Sequence, residues 1–343
     1  MSRRSLTLVI STVLVVVLGV LVWLLPVPYV VLSPGPTLNT LGTDDKGHPI
    51  ITLKDHQARQ TTGHLNLTTV SEQSDRVTVG QALKGWLAHD KVVVPRASIY
   101  PPGQSTQQVN QQNTEDFSQS QDAATTAAAC ELGYPKKFGV LGVDPSLGAN
   151  GKLEVGDQLV SIDGAPVSDA ASLTTALATK KSGQTVSVVV TRNGSQQTVS
   201  VTLSAPGKSG SPPRLGIEVG SACLLPFEVD LGLNNEIGGP SAGLMFALGI
   251  MDKIGPTDIT RGRFIAGTGE ISDDGTVDPI GGIQLKMIAA RHAGATIFLA
   301  PSGNCSDVRG NIPSGLDVVK VTSLHDAVQS LATLAEGGSV PHC

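Results

Sequence analysis

Hydrophobic and polar positions divide the chain into stretches of different periodicity. Residues 6–25 are almost wholly apolar and carry no charge. Twenty such residues span about 30 Å as a helix, the thickness of a bilayer core. After them, short β-rich runs at 29–32, 50–53, 64–70 and 91–94 alternate with turn residues and predict strands. Ser33-Pro34-Gly35-Pro36 predicts a rigid turn, and the polar, Gln-rich residues 104–113 predict an exposed loop. Residues 117–132 then read as a helix with an alanine-rich face, stopped by Gly133.

Strands at 138–143, 185–192 and 197–203 with a helix over 169–179 suggest a compact module within residues 133–205. Residues 206–213, rich in Gly, Ser and Pro, read as a linker that lets the module move. Strand patterns at 224–233, 264–266, 296–300 and 316–321 then alternate with helical ones at 243–251, 282–292 and 324–334. That alternation predicts an α/β arrangement.

Arg3 and Arg4 precede the apolar run, and the next basic residue is Lys46. The positive-inside rule puts residues 1–5 in the cytoplasm, makes 6–25 a single-pass anchor of the cell membrane, and leaves the remainder extracytoplasmic. A cleaved signal peptide is the competing reading, disfavoured by the length of the run and the lack of a small-x-small site before Val-Pro-Val-Pro.

The net charge of −5 gives no reason to expect nucleic-acid binding. Cys130, Cys223, Cys305 and Cys343 allow three pairings outside the cytoplasm, a Cys305–Cys343 bridge that ties down the tail among them, or buried free thiols. Glu270, Asp273, Asp274 and Asp278 invite a metal reading. No His or Cys joins them at ligand spacing, so a solvated turn over residues 272–275 is expected, with neither metal nor cofactor.

The candidate chemistry lies between Gly238 and Lys286. Gly238-Gly239-Pro240-Ser241-Ala242-Gly243 reads as a loop feeding a helix, with Ser241 in the first helical turn, where unpaired N–H groups and the helix dipole favour an oxyanion. Ala242 and Gly239 are the candidate supporting groups. Lys286 shares a helix face with Ile283, Ala289, Ala290 and Ala293, a stripe that is expected to be buried. Desolvation disfavours the ammonium, and lowering its pKa from about 10.4 to about 7 costs roughly 4 kcal/mol. A neutral amine so placed has an obvious task, to take the proton of Ser241.

Gly-Pro-Ser-Ala-Gly, Thr268-Gly269-Glu270-Ile271, Val277-Asp278-Pro279-Ile280-Gly281-Gly282-Ile283, and Lys286 followed by Ala289-Ala290-Arg291-His292-Ala293-Gly294 resemble the proteolytic domain of Lon-type serine proteases. The resemblance covers roughly residues 215–335. It implies that Ser241 is the nucleophile of an endopeptidase, Lys286 its base, and Thr268 a neighbour of the dyad. It also implies a homo-oligomer, and suggests that residues 26–132 form the first half of the catalytic fold, with a separate N-terminal domain as the rival. Two departures stand out. No Gly-x-x-x-x-Gly-Lys-[Ser/Thr] phosphate loop occurs, so ATP-driven unfolding is not expected. Gly238 also stands where many members carry an acidic residue, Glu236 lying two residues earlier.

The run Gly151-Lys152-Leu153-Glu154-Val155-Gly156-Asp157-Gln158-Leu159-Val160-Ser161-Ile162-Asp163-Gly164 resembles the core of a PDZ domain. Gly139, Val140, Leu141 and Gly142 then become candidates for its peptide-binding loop and strand, which would bind substrate chain ends by strand addition. A degenerate PDZ used only for packing is the alternative.

The expected whole is an α/β (α+β) proteolytic domain at 214–335 with a tail at 336–343, carrying a β-rich PDZ-like module behind one membrane helix and acting on protein or peptide substrates. Two other classes remain: a membrane-tethered peptide-binding scaffold, and an esterase using Gly239-Pro240-Ser241-Ala242-Gly243 as a nucleophile elbow with His292 or His325. The esterase needs a strand leading into the elbow, and residues 234–237 are too polar for one.

Overall fold

The apolar run forms helix α1 (Arg3–Leu24), and residues 4–24 are long and apolar enough to cross a membrane, with their side chains exposed along the whole length. In this computed structural model, described for residues 3–44, 46–54, 56–74, 76–192, 194–207, 211–232 and 238–343, the chain leaves α1 directly into a sheet. Strands β1 (Tyr29–Asn39), β2 (Ile51–Leu53) and β3 (His64–Gln73) are followed by helix α2 (Val79–Leu87), strand β4 (Val92–Pro95), the short helix α3 (Arg96–Ile99) and the long helix α4 (Thr106–Glu131).

Three expectations change in this region. The Pro34-Gly35-Pro36 segment is not a turn but lies within β1. Its register against β3 shifts between Pro34 and Thr37, a bulge that accommodates prolines lacking an N–H. Residues 79–87 are helical in a stretch that read as strands, started by a capping box between Thr78 and Gln81. The polar residues 106–113 are not a loop but the first turns of α4. Ser105 Oγ accepts from the Gln108 N–H at 3.2 Å, and Gln108 Oε1 accepts from the Ser105 N–H at 2.8 Å.

The inserted module comprises β5 (Lys136–Val143), β6 (Gln158–Ile162), β7 (Ala165–Pro166), helix α5 (Ala170–Leu177), β8 (Thr185–Arg192), β9 (Ser195–Thr202) and β10 (Ile217–Cys223). Its sheet runs in the order β10-β5-β6-β8-β9, and its core is separate from that of the rest of the chain, built on Val140, Ile162, Val188, Val190 and Leu203. The expected 206–213 linker therefore does not lead out of the module. The chain returns through Arg214, which bridges to Ser204, and β10 pairs antiparallel along the length of β5. A disulfide between Cys130, at the end of α4, and Cys223, at the end of β10, joins the two points where the module enters and leaves.

The chain continues with β11 (Val229–Leu231), helix α6 (Gly243–Ile254), strands β12 (Phe264–Gly267), β13 (Glu270–Ile271) and β14 (Val277–Asp278), and helix α7 (Ile283–Ala293). Strand β15 (Ile297–Pro301), helix α8 (Cys305–Val308), strand β16 (Asp317–Val321) and helix α9 (Leu324–Ala335) complete it. The predicted strand over 224–233 is shorter than expected, as β11, and pairs with β2.

The main sheet has the order β16-β15-β12-β3-β1-β4. Its C-terminal strands run parallel, β3 joins β12 in parallel, and β1 and β4 add antiparallel. The two halves of the chain on either side of the module thus share one sheet and one core, with Ile50, Leu65, Leu67 and Phe117 packed among Leu244, Phe246, Leu248, Val319 and Leu331. Helix α6 is apolar all round from Gly243 to Met251 and buried through Lys253, as a core helix must be. The second disulfide, Cys305–Cys343, holds the tail against α8.

Candidate active site

Ser241 lies in the turn that enters α6, one residue before the N-cap Ala242, rather than in the first helical turn. Helix α4 fixes that turn. The Gly239 N–H donates to Asn113 O at 2.8 Å, Ser120 Oγ donates to Pro240 O at 2.8 Å, and Gly239 takes the left-handed conformation (φ 82°) that a side chain would strain. This assigns the Gly239 amide to Asn113 and removes it from the candidate oxyanion donors. The amides of Leu244, Met245 and Phe246 are also committed, to Gly269 O and Ala242 O. Neither Asn113 nor Ser120 was legible as a site residue, because the helix carrying them begins in a Gln-rich stretch. The Ser105–Gln108 capping box was the available signal. Glu236 lies outside the described residues.

Lys286 arrives from α7, whose N-cap Gly282 is left-handed (φ 70°) and whose C-cap is Gly294. The helix packs across β1 and β3 and buries Ile283, Lys286, Ala289 and Ala290, while Ala293, expected on the same buried stripe, is exposed. Thr268 follows the end of β12 and is fully buried, its N–H donating to Leu299 O on the neighbouring strand at 3.2 Å.

These three elements bring the predicted residues together. Lys286 Nζ lies 2.6 Å from Ser241 Oγ and 2.9 Å from Thr268 Oγ1. Lys286 is 3% exposed, and burial alone brings its pKa down to about 7. Thr268 Oγ1 donates to Ser241 O at 2.9 Å, an oxygen that also accepts from the Gly269 N–H at 2.9 Å. With its hydrogen committed there, the Thr268 hydroxyl can only accept from Lys286. One amine N–H is thereby fixed, and the nitrogen lone pair of the neutral amine is free to face the serine hydroxyl. Such an arrangement can deprotonate a hydroxyl for nucleophilic attack.

Residues 236–334, which hold all three side chains, match the family model of the Lon protease (S16) C-terminal proteolytic domain, and residues 116–203 match that of the PDZ domain. The chain joins a PDZ domain to a Lon-type proteolytic domain. Over the proteolytic region it is similar to the Lon protease of Rickettsia bellii, 34% identical over 98 residues, which cover 28% of this chain and 12% of that one. It is 41% identical over 71 residues to the Lon protease of Roseiflexus castenholzii (21% and 9% covered) and 34% identical over 112 residues to Lon protease 2 of Bacillus subtilis (31% and 19%). The chain therefore spans less than a fifth of each of these relatives. Over the PDZ domain, a crystal structure from an SdrC-like protein of Listeria innocua is 26% identical, covering 24% of this chain and 92% of that one with a TM-score of 0.23.

Within the PDZ domain the residues expected to take the peptide lie on an inner strand, with Gly142 lining a cleft beside it. Gly139, Val140, Leu141 and Gly142 lie on β5, which is paired with β10 on one side and approached by β6 on the other, so it offers no free edge for an added strand. The edge strands of this sheet are β10 and β9. A cleft of about 760 Å³ runs between β10 and α5, lined by Leu173 and Leu177 on the helix and by Leu215, Gly216 and Ile217 on the strand side.

His292 and His325 are exposed, His325 pairing with Glu131 at 2.7 Å, and neither adjoins Ser241. Glu270 and Asp278 pair across the β13–β14 hairpin, whose turn holds Asp273 and Asp274.

Proposed function

We propose that the protein is a membrane-anchored, ATP-independent serine endopeptidase in which Ser241 attacks and Lys286 is the general base. The observation that carries this reading is the 2.6 Å approach of a desolvated lysine amine to a serine hydroxyl at a helix entrance. Neutral Lys286 takes the Ser241 proton as Oγ adds to a peptide carbonyl. The developing oxyanion is met at the start of α6 by the Ala242 amide, and Lys286 then returns the proton to the leaving amine before water clears the ester. Thr268 positions the amine throughout. Residues 26–132 supply half of the proteolytic fold, with the PDZ domain inserted after α4.

Helix α1 anchors the chain with its N-terminus in the cytoplasm and the folded domains outside, an orientation supported by Arg3 and Arg4 before the span and by the two disulfides after it. The α5–β10 cleft receives an extended chain end, whose backbone pairs with the open edge of β10 and whose last side chain enters the apolar space between Leu173, Leu177 and Leu215.

The test is cleavage of an unfolded reporter protein by the full-length chain in detergent, without nucleotide, comparing wild type with Ser241→Ala and Lys286→Met. Cleavage by wild type alone supports the reading. Retained activity in Lys286→Met removes the dyad, and equal inactivity of all three with intact peptide binding favours the scaffold.

A further inference from the structure

Apart from α1 and Leu25 just beyond it, the large hydrophobic side chains exposed among the described residues are Leu83, Trp86, Leu87, Val155 and Ile312. Three of the five belong to the nine-residue helix α2, with exposures of 39%, 60% and 80%. That helix is fixed at the point where α1 ends. The Val79 N–H donates to Leu25 O at 2.9 Å, the Val27 N–H to Val77 O at 2.8 Å, and Pro26 bridges to Thr78. A side chain at Gly80 would run into the Trp23 indole, so the two helices touch there. Gly80, Leu83 and Leu87 follow one another at helical spacing, so the stripe that meets the end of α1 continues outward as bare leucine.

The opposite stripe is already used. Ala82 packs with Val31 and Val77, and Gly85 lets the helix approach so closely that a Cβ would lie 2.7 Å from Val93. Helix α2 is thus held against the β1–β4 edge of the sheet by its small residues, and it presents its large ones to whatever surrounds the end of α1.

We infer that α2 lies in the interfacial layer of the bilayer that α1 spans, with Leu83, Trp86 and Leu87 immersed in lipid. The inference rests on the anchor reading above. The residue types agree with a lipid partner. The chain contains two tryptophans, Trp23 and Trp86, and both sit at this junction, where Tyr29 also meets Trp86 edge-on at 6.0 Å. Tryptophan and tyrosine favour the headgroup level of a membrane, and Lys84, exposed on the same helix, can extend its amine to lipid phosphates. With a spanning helix and an interfacial helix joined at one corner, the proteolytic domain is held by two attachments and has a fixed face toward the membrane. Proteins whose cleavable segment lies near the bilayer surface are the substrates such a pose selects.

The test uses the full-length chain carrying Trp23→Phe, which leaves Trp86 as the sole tryptophan, reconstituted in phosphatidylcholine and phosphatidylglycerol vesicles. Lipids brominated near the headgroup are expected to quench Trp86 emission at least about twofold and lipids brominated at the chain end to quench it little, placing the ring roughly 5–10 Å into the headgroup and acyl boundary. Leu83→Gln with Leu87→Gln in the same background is expected to reduce that quenching while the protein stays in the vesicles after alkaline carbonate. Unquenched Trp86 in a carbonate-resistant protein overturns the inference and leaves the anchor standing. A blue-shifted but unquenched Trp86 also overturns it and points to a second protein copy on this face. Release by carbonate overturns the anchor and the inference with it.

Discussion

Thr268 Oγ1 stands 2.9 Å from Lys286 Nζ while giving its own hydrogen to the carbonyl oxygen of Ser241, also at 2.9 Å. The threonine therefore links the proposed base to the backbone of the proposed nucleophile and fixes which way the amine points. Thr268→Val is expected to lower kcat about 10- to 100-fold with little change in KM, because a mis-aimed base loses part of its contribution while substrate binding is untouched. Thr268→Ser, which keeps the hydroxyl, is expected to recover most of the rate. Equal kcat values for wild type and the valine variant would remove Thr268 from the mechanism.

The pH profile follows from the same burial. As the proposed general base Lys286 acts only as the neutral amine, so kcat/KM is expected to rise through about pH 7 and level off above it. Rates on a short fluorogenic peptide between about pH 5 and pH 10 measure this, and a rate still climbing at pH 10 contradicts a buried, neutral lysine.

Stability moves with pH for the same reason. Burial lowers the folded pKa of Lys286 to about 7 from an ordinary value of 10.5, so between those limits the unfolded chain binds the proton more tightly and stability rises with pH. Below about pH 7 the full cost of the buried cation is present. Lys286→Met is expected to be more stable than wild type by about 1–4 kcal/mol at pH 6, judged against other replacements of buried charges by apolar groups. The gap is expected to shrink toward pH 10. Urea midpoints at the two pH values measure it, and a gap that grows with pH would reverse the sign of the argument.

Peptide docking is expected to leave a mark on β10 and none on β5. A peptide ending in an aliphatic residue and a free carboxylate is expected to slow hydrogen exchange at alternate amides of Ile217–Cys223, the set that points away from β5. The amides of Gly139–Gly142 are expected to exchange as before. Slowing confined to Gly139–Gly142 would restore the site anticipated from sequence.

The Cys130–Cys223 bridge encloses the PDZ domain, at a sequence separation of 93. A proteolytic nick in residues 206–213 is expected to leave both fragments on one band until the sample is reduced. Replacing both cysteines by serine is expected to cost about 2–5 kcal/mol, most of it by freeing the unfolded chain. Thermal unfolding of the double variant measures this, and an unchanged Tm would show that the bridge adds nothing.

What sequence reveals here follows the reach of each signal. Ser241, Thr268 and Lys286 stood in recognisable local patterns, and their convergence required only that the helices and strands around them form. The start of α4 was hidden because side-chain capping, rather than hydrophobic periodicity, begins it. Strand β10 was hidden because residues 217–223 look like any short strand, and nothing local says that they pair with β5 across 70 residues or so of intervening chain. The open edge of a sheet is a property of topology, so a local pattern at Gly139–Gly142 does not say that these residues lie on an inner strand of the module.

Strand β3 aligns His64 beside Phe264 of β12, and α7 brings Lys286 down onto β1 and β3. These contacts join parts of the chain made far apart in time during synthesis. The PDZ domain has a core of its own and can fold first, whereas the main sheet stays incomplete until its C-terminal strands exist. A growing chain that has just made Ser241 therefore carries a hydroxyl without a base, in a turn whose supporting partner Gly269 does not yet exist. On the proposed mechanism, maturation is timed by topology: the newborn protein stays harmless to itself and its neighbours, and the serine is armed only once the strands and helix that follow it are made.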